Sequence, residues 1–379
     1  MLGSQKSDNL IVDLFCGCGG FSLGAELAGF ETAIAIDVEP NLQSSFRLNF
    51  PKSSPIQASV SDIQSSDWRR LLGRNRPAGV IGGPPCQGFS WIGQRSDSDP
   101  RNNLLSEFYR QVSLLRPKFF IMENVDGLIH KDKIHFLNSA LETVRDQYVV
   151  LDPILINARD FGAPTNRKRV MIVGYDPTEM SPMNASHFIP LGKKASVADA
   201  IRDLPSPVDV NDERCFGWGS YPHEQTHLLS NYARMMRQPP PLGLGSRLAL
   251  DNLAVGRVSG LANTIHSERI AKRYHDLQPG KADPISKSVK LSWDGFCPTL
   301  RAGTGPEKGS YQAVRPLHPD YGRVITVREA ARLQGFPDWF LFHTTKWHSF
   351  RMIGNSVSPI VSRAILSMIA EKMSLPLAA

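Results

Sequence analysis

Short apolar runs alternate with amphipathic stretches over the first half of the chain. Leu10-Ile11-Val12-Asp13-Leu14-Phe15 reads as a buried strand, and residues 21–28 as a helix. Residues 32–36 form a second strand, ended by Asp37. Residues 104–116 space Leu and Phe at helical intervals and stop at Pro117, which cannot continue a helix. Residues 119–122 and 170–174 are further strands. Apolar strands alternating with helices predict an α/β fold whose parallel sheet is covered on both faces.

The pattern changes near Asp176. From there to about Gly309 periodic segments are few, Pro and Gly are frequent, and Arg, Lys, His and aromatic residues are scattered. Gln238-Pro239-Pro240-Pro241-Leu242-Gly243 is a stiff, turn-rich spacer. This stretch reads as a second, irregular region carried by loops, the usual place for recognition surfaces. Periodicity returns at 326–334, where Thr326 followed by Glu329 has the pattern of a capping box. A last helix is expected at about 360–373. No internal repeat or low-complexity tract is visible.

Composition narrows the class. A formal net charge of +7 favours a polyanionic partner such as nucleic acid, though only mildly. No apolar stretch approaches the ~20 residues of a membrane span, and the first eight residues lack the apolar core of a signal peptide. Five cysteines, Cys16, Cys18, Cys86, Cys215 and Cys297, form no CxxC pair. An odd, sparse set argues for a reducing cytoplasm rather than a disulfide framework.

Four segments carry candidate chemistry. In Asp13-Leu14-Phe15-Cys16-Gly17-Cys18-Gly19-Gly20, a buried strand runs through glycines into a helix, so a ligand can approach backbone and helix N-terminus. About twenty residues on, Asp37 can accept hydrogen bonds from ribose hydroxyls, and Asp62 can take the amino group of an adenine. GCGG is not the GxGxxG of NAD-binding folds, and hydride chemistry would leave Cys86 unexplained. Cys16 and Cys18 have no further Cys or His nearby to complete a metal site, and no metal is expected. In Gly82-Gly83-Pro84-Pro85-Cys86-Gln87-Gly88-Phe89-Ser90, two prolines stiffen the backbone before a thiol. Taken alone, that thiol is either a nucleophile or a buried turn cysteine. Glu123, in Met122-Glu123-Asn124-Val125, sits at a strand's C-terminal end, where substrates collect and a carboxyl can donate a proton. Arg167-Lys168-Arg169 leads into the strand at Val170, and in extended chain the two arginines share a face. His223-Glu224-Gln225-Thr226-His227 matches the HExxH zinc-protease pattern, but it follows Tyr221-Pro222 in the irregular region and brings no clear third ligand.

In this order the segments resemble the DNA cytosine-5 methyltransferases over most of the chain. Residues 13–20 resemble the family's cofactor loop, and Gly83-Pro84-Pro85-Cys86-Gln87 its nucleophile motif. Asp99-Pro100-Arg101-Asn102-Asn103-Leu104 resembles the helix entry after its mobile loop. Glu123-Asn124-Val125 resembles the acid motif, and Arg167-Lys168-Arg169 the arginine motif. Arg328-Glu329 with Ala331-Arg332-Leu333-Gln334-Gly335-Phe336-Pro337 resembles the helix supporting the recognition domain, and Gly354-Asn355-Ser356-Val357 the last cofactor motif.

The resemblance implies a Rossmann-like S-adenosylmethionine-dependent methyltransferase sheet with helices on both faces, plus a smaller irregular target-recognition domain. The implied division is 1–176 catalytic, 177–325 target recognition, and 326–379 returning to the catalytic domain. It implies S-adenosyl-L-methionine as cofactor, held by Phe15, Gly17, Gly19, Gly20, Asp37, Asp62, Ile63, Pro84, Asn355 and Val357. Cys86 attacks C6 of a flipped-out cytosine, Glu123 acts at N3, Arg169 holds the base carbonyl and Arg167 orients Glu123. Gln87, Ser90, Thr299, Leu300 and Arg301 meet double-stranded DNA. The expected protein is a cytoplasmic, nucleoid-associated monomer without membrane contact. A restriction endonuclease for the same site is a compatible partner, and structured RNA or non-catalytic DNA binding are the competing functions. Two departures stand out: Thr165 where the family usually carries Gln, and Val38 where an aromatic residue commonly follows the ribose-binding acid.

Overall fold

A computed structural model of the chain describes residues 8–85, 103–189, 193–212, 214–222, 229–302 and 315–373. The first part runs β1 (Leu10–Leu14), α1 (Gly20–Leu27), β2 (Glu31–Asp37), α2 (Pro40–Asn49), β3 (Ser54–Gln57), α3 (Ser65–Leu72) and β4 (Gly79–Gly82). It continues through α4 (Asn103–Leu115), β5 (Phe119–Asn124), α5 (Ile134–Leu141), β6 (Val149–Val150), β7 (Ile154–Asn157), β8 (Thr165–Asn166) and β9 (Lys168–Tyr175). The main sheet has the order β3-β2-β1-β4-β5-β9-β6, with β7 also paired to β9.

Strands β1 to β5 are mutually parallel, as the apolar runs predict. The strand expected at 170–174 departs from that expectation, because β9 runs antiparallel to β5, β6 and β7. The chain returns from β7 to β9 through residues 158–167 alone, which is too short for the crossover a parallel neighbour requires.

Period-two alternation sends neighbouring residues to opposite faces. Ile11, Ile81, Ile121, Met171 and Val173 join one buried layer with Phe21 and Ala25 of α1. Val12, Val80, Phe120, Met122, Val170 and Ile172 join the other, with Trp68, Phe108, Tyr109 and Leu137.

Short elements fill the irregular region: α6 (Val197–Ile201), β10 (Gly219–Ser220), α7 (Asn231–Met236), α8 (Arg247–Ala254), β11 (Arg257–Val258), α9 (Glu268–Asp276) and β12 (Cys297–Pro298). Then come α10 (Val327–Gln334), α11 (Lys346–Asn355) and α12 (Pro359–Lys372). Much of the irregular region shares one apolar cluster with the rest of the fold. Val197, Ile201, Tyr232, Met236 and Leu300 pack with Phe46 and Phe50 of α2 and with Leu333 of α10.

Helix α12 lies on α1, where glycine is required. A Cβ on Gly24 would sit 1.8 Å from Ser362 Oγ, and one on Gly20 would sit 1.9 Å from Ser356 Oγ. The stretch Lys346–Lys372 is long and apolar enough to pass for a membrane span. It is instead two helices interrupted at 356–358, and Val361, Ile365, Leu366 and Ile369 are buried in the core.

Every residue of α10 is buried. Its capping box is formed as expected, with Thr326 Oγ1 accepting from Glu329 N and Glu329 Oε2 accepting from Thr326 N. Two fully buried arginines point from it into the irregular region. Arg328 donates to Ser259 O, Ser259 Oγ, Pro337 O and Phe340 O, each at 2.9 Å. Arg332 forks onto Asp338 at 2.6 and 2.7 Å, and reaches Ala200 O at 2.9 Å and Asp203 Oδ1 at 3.0 Å. Arg237 also bonds Asp203, and Tyr221 donates its hydroxyl to Asp338. Burial alone would push the Asp338 carboxyl up, but the Arg332 guanidinium holds it below its ordinary value.

Removing one member of this network leaves a charge buried without its partner. Arg332→Met is therefore expected to cost about 3–5 kcal/mol of stability. Urea unfolding followed by tryptophan fluorescence measures this, and an unchanged midpoint contradicts the role given to Arg332.

Candidate active site

The parallel strands β1, β2, β4 and β5 end at a common edge, with Leu14 opposite Ile36 and Gly82, and Gly82 opposite Met122. Each is followed there by one of the segments singled out in the sequence. After β1, Phe15 (φ 62°) and Gly17 (φ 54°) are left-handed and turn the chain sharply before α1. A non-glycine residue at such a φ is uncommon, and in Phe15 it marks a backbone held by its surroundings. Nothing lies within 4 Å of where a Gly17 Cβ would be, so that side of the loop is open. Gly19 is closed in, because a Cβ there would meet the Phe50 ring at 2.4 Å.

Asp37 ends β2 and is 9% exposed. Its Oδ2 accepts from Gly17 N and its Oδ1 from Glu39 N, both at 2.8 Å. Burial pushes its carboxyl above the ordinary range, and these two N–H groups offset part of that shift. Each carboxylate oxygen retains accepting capacity for a hydroxyl pair. Below the loop, buried Asp13 accepts from Ser22 Oγ at 2.5 Å, and burial pushes its carboxyl up to about 7. Burial also pushes the Cys18 thiol up to about 12, and the Cys16 thiol well above its ordinary value. Both are therefore protonated near neutral pH and unsuited to nucleophilic attack.

Asp62 closes a 3-10 turn, Val60–Asp62, and is exposed, while Ile63 beside it is buried. Helix α4 fixes this turn. Gln111 Nε2 donates to Val60 O and Ile63 O at 2.9 and 3.0 Å, and Arg110 Nη2 to Ser61 O at 3.1 Å. On the other side, Asn355 ends α11 in an exposed position. Val357 is buried, with its carbonyl accepting from Ser356 Oγ at 3.1 Å.

Glu123 lies within β5, one residue from its end, and is 8% exposed. Arg169 Nε stands 2.8 Å from its Oε1. Its Oε2 faces Gly83, where a Cβ would lie 3.4 Å away. Asn124 Nδ2 donates to Pro84 O at 3.2 Å. The strand carrying the acid is thus pinned to the proline turn that leads into Cys86. Cys86, Gln87, Ser90 and residues 99–102 lie outside the described residues, as does the His223-to-His227 segment.

Arg169, not Arg167, stands beside Glu123. The expectation that Arg167 orients Glu123 is corrected, because Arg169 occupies that place. Arg167 begins before β9, is 3% exposed, and donates from Nη1 to Gly354 O at 3.0 Å and Leu300 O at 3.4 Å. The chain leaving the irregular region runs alongside. Cys297 and Pro298 pair in parallel with Thr165 and Asn166, and Thr299 Oγ1 donates to Asn166 O at 2.6 Å. Arg301 is exposed just beyond.

The profile of the family described as C-5 cytosine-specific DNA methylase matches residues 10–371. The chain belongs to this family. It is 38% identical to the Type II methyltransferase M.XorII of Xanthomonas oryzae pv. oryzae, over 96% of this chain and 84% of that protein. It is 30% identical to M.DdeI of Desulfomicrobium norvegicum, over 96% and 88% respectively. A crystal structure described as a DNA modification methyltransferase encoded within an E. coli prophage superposes with a TM-score of 0.85 at 38% identity, covering 96% of this chain and 99% of that one. The S. pombe Dnmt2 methyltransferase shares the fold, with a TM-score of 0.60 at 15% identity.

As a DNA cytosine-5 methyltransferase of the Type II restriction–modification class, the protein acts on DNA and uses a methyl donor of the S-adenosylmethionine type. Several residues that build this methyltransferase's site were not singled out from sequence. Asn124 was visible only as part of a motif, and its amide turns out to donate to Pro84 O in the turn before Cys86. Gln111 and Arg110 look like ordinary polar positions on an amphipathic helix, and nothing local shows that they reach Asp62's turn. Arg351 of α11 pairs with Glu39 at 3.3 Å and so braces the loop after Asp37, across 312 residues of sequence.

Asp37→Ala removes the buried carboxylate at the open side of the loop. It is expected to weaken S-adenosylmethionine binding by about 1.5–3 kcal/mol, the value of a hydrogen bond to a charged group. Isothermal calorimetry reads this directly, and unchanged affinity would rule out Asp37 as a ribose ligand.

Proposed function

We propose that this methyltransferase modifies C5 of cytosine at one specific sequence in double-stranded DNA, as the modification half of a restriction–modification pair. The observation that carries the mechanism is the Glu123–Arg169 pair, 2.8 Å apart at the sheet edge, tied through Asn124 to the turn entering Cys86. It acts as a single chain, with residues 1–176 and 326–379 supplying the chemistry and 177–325 the target recognition.

The residues at the glycine loop fit an S-adenosyl-L-methionine. The space beside Gly17 admits a ligand, and Asp37 is a buried carboxylate with accepting capacity left for ribose hydroxyls. Phe15, Gly17, Gly19, Gly20, Asp62, Ile63, Pro84, Asn355 and Val357 complete the proposed pocket. When bound, the cofactor supplies an electrophilic methyl group.

The protein's own residues make cytosine reactive. C5 is a poor nucleophile until Cys86, as thiolate, adds to C6 and makes C5 enamine-like. Glu123 protonates or hydrogen-bonds N3, so negative charge does not accumulate on the ring. Arg169 holds Glu123 and lies at the same edge, where its guanidinium can also meet the base carbonyl. Once C5 has accepted the methyl group, loss of its proton and of the thiolate restores the aromatic ring. A base inside a duplex is out of reach of this edge, so the target nucleotide is flipped out of the stack. Gln87, Ser90, Thr299 and Arg301 meet the DNA around it, whereas Leu300, expected beside them, is corrected to a core position because its side chain is 4% exposed and packed in the apolar cluster. Phosphate contacts supply affinity and base contacts supply sequence choice.

A fluorine at C5 blocks the final proton loss. A duplex carrying 5-fluorocytosine at the target should therefore trap the enzyme as a covalent adduct when cofactor is present. Cys86→Ser should abolish the shifted band on a denaturing gel, because a serine hydroxyl is far less ionised than a thiol, while DNA and cofactor still bind. Trapping that persists in Cys86→Ser excludes this nucleophile.

A further inference from the structure

The segment that leaves the irregular region is attached to the strand that presents Arg169 with unusual completeness. Thr165 is fully buried, and its Oγ1 donates to Cys297 O at 3.2 Å. Cys297 N donates to Pro164 O at 2.9 Å. Thr299 closes the next step of the ladder through Asn166. Arg167, between β8 and β9, ties in a third segment through Gly354 O. That segment packs backbone to backbone, since a Cβ on Gly354 would lie 2.5 Å from the Arg301 carbonyl carbon.

We propose that Thr165 and Arg167 are positioning residues that couple the reading of DNA to catalysis, by fixing residues 297–302 against the strand that holds Arg169 on Glu123. The inference rests on the reading that Thr299 and Arg301 meet DNA. Only Arg167 separates β8 from β9. A displacement of Thr299 is thus passed through Asn166 and Arg167 to Arg169, whose Nε is 2.8 Å from the carboxyl of Glu123. A guanidinium in the interior that bonds main-chain carbonyls fixes backbone positions rather than side chains, because carbonyls move only with their chain. A duplex that seats 299–301 incorrectly then draws Arg169 away from Glu123. Discrimination against wrong sequences appears at the chemical step as well as in binding.

The test uses full-length wild type, Thr165→Val, Arg167→Met and Arg167→Lys on a pool of duplexes with randomised sequence. Bisulfite sequencing reads initial rates at every site, and calorimetry reads cofactor affinity. In Thr165→Val and Arg167→Met, the ratio of rates at the preferred site and at single-mismatch sites should fall by about two- to thirtyfold, the range of coupling effects. Affinity for the preferred duplex should hold in both, and cofactor affinity should hold in Thr165→Val, which touches no part of the proposed pocket. Arg167→Lys should recover much of the ratio, because an ammonium can also donate to both carbonyls. An equal fall at all sites, or a loss confined to duplex affinity, would overturn the proposal. If Arg167→Met does not fold, Thr165→Val, which keeps the side-chain volume, decides alone. If wild type leaves no 5-methylcytosine in any duplex, the functional reading itself fails and the inference with it.

Discussion

The antiparallel pairing of β5 with β9 sets Glu123 opposite Met171 and Asn124 opposite Val170, so one strand begins where the other ends. In an all-parallel sheet, only the residues that follow strands reach the C-terminal edge. Reversing one strand adds the residues that precede it. That is how Arg169 meets Glu123, while the glycine loop, Asp37 and the Pro84 turn arrive from the ends of parallel strands. A parallel β9 would have carried both arginines to the opposite edge, and the acid would have stood alone.

A second constraint holds the irregular region in place. That region contributes few long apolar segments, and it shares an apolar cluster with α2 and α10. A polar attachment is added to that apolar one, through Arg328 on Ser259 and Arg332 on Ala200 O and Asp203. Such a network stabilises only when every member is satisfied. Its geometry is far more specific than apolar packing, which tolerates repacking. On the proposed function, in which this region reads sequence, an attachment that allows one arrangement is an advantage.

The alternation of strands and helices was legible because buried strands and amphipathic helices each impose a period. Thr326 with Glu329 was legible because a capping box is local. The direction of β9 was not, since the apolar run 170–174 looks the same in either sense, and only the short return from β7 decides. The shared face of Arg167 and Arg169 suggested that both reach the sheet edge, yet Arg167, between β8 and β9, bonds Gly354 O and Leu300 O while Arg169 stands beside Glu123. Thr165 read only as a departure from the family's usual Gln. Packing makes it a buried donor to Cys297 O at the end of the irregular region, a role that depends on a residue far along the chain. Contacts separated by more than a hundred residues leave no local pattern to read.

The central claim is that this edge performs sequence-specific C5 methylation of DNA. Bisulfite sequencing of genomic DNA from cells expressing the chain tests it most directly. The account predicts protected cytosines at one position of a single recurring sequence, absent from cells without the chain. Genomic DNA that remains fully convertible, with the protein folded and present, would contradict it.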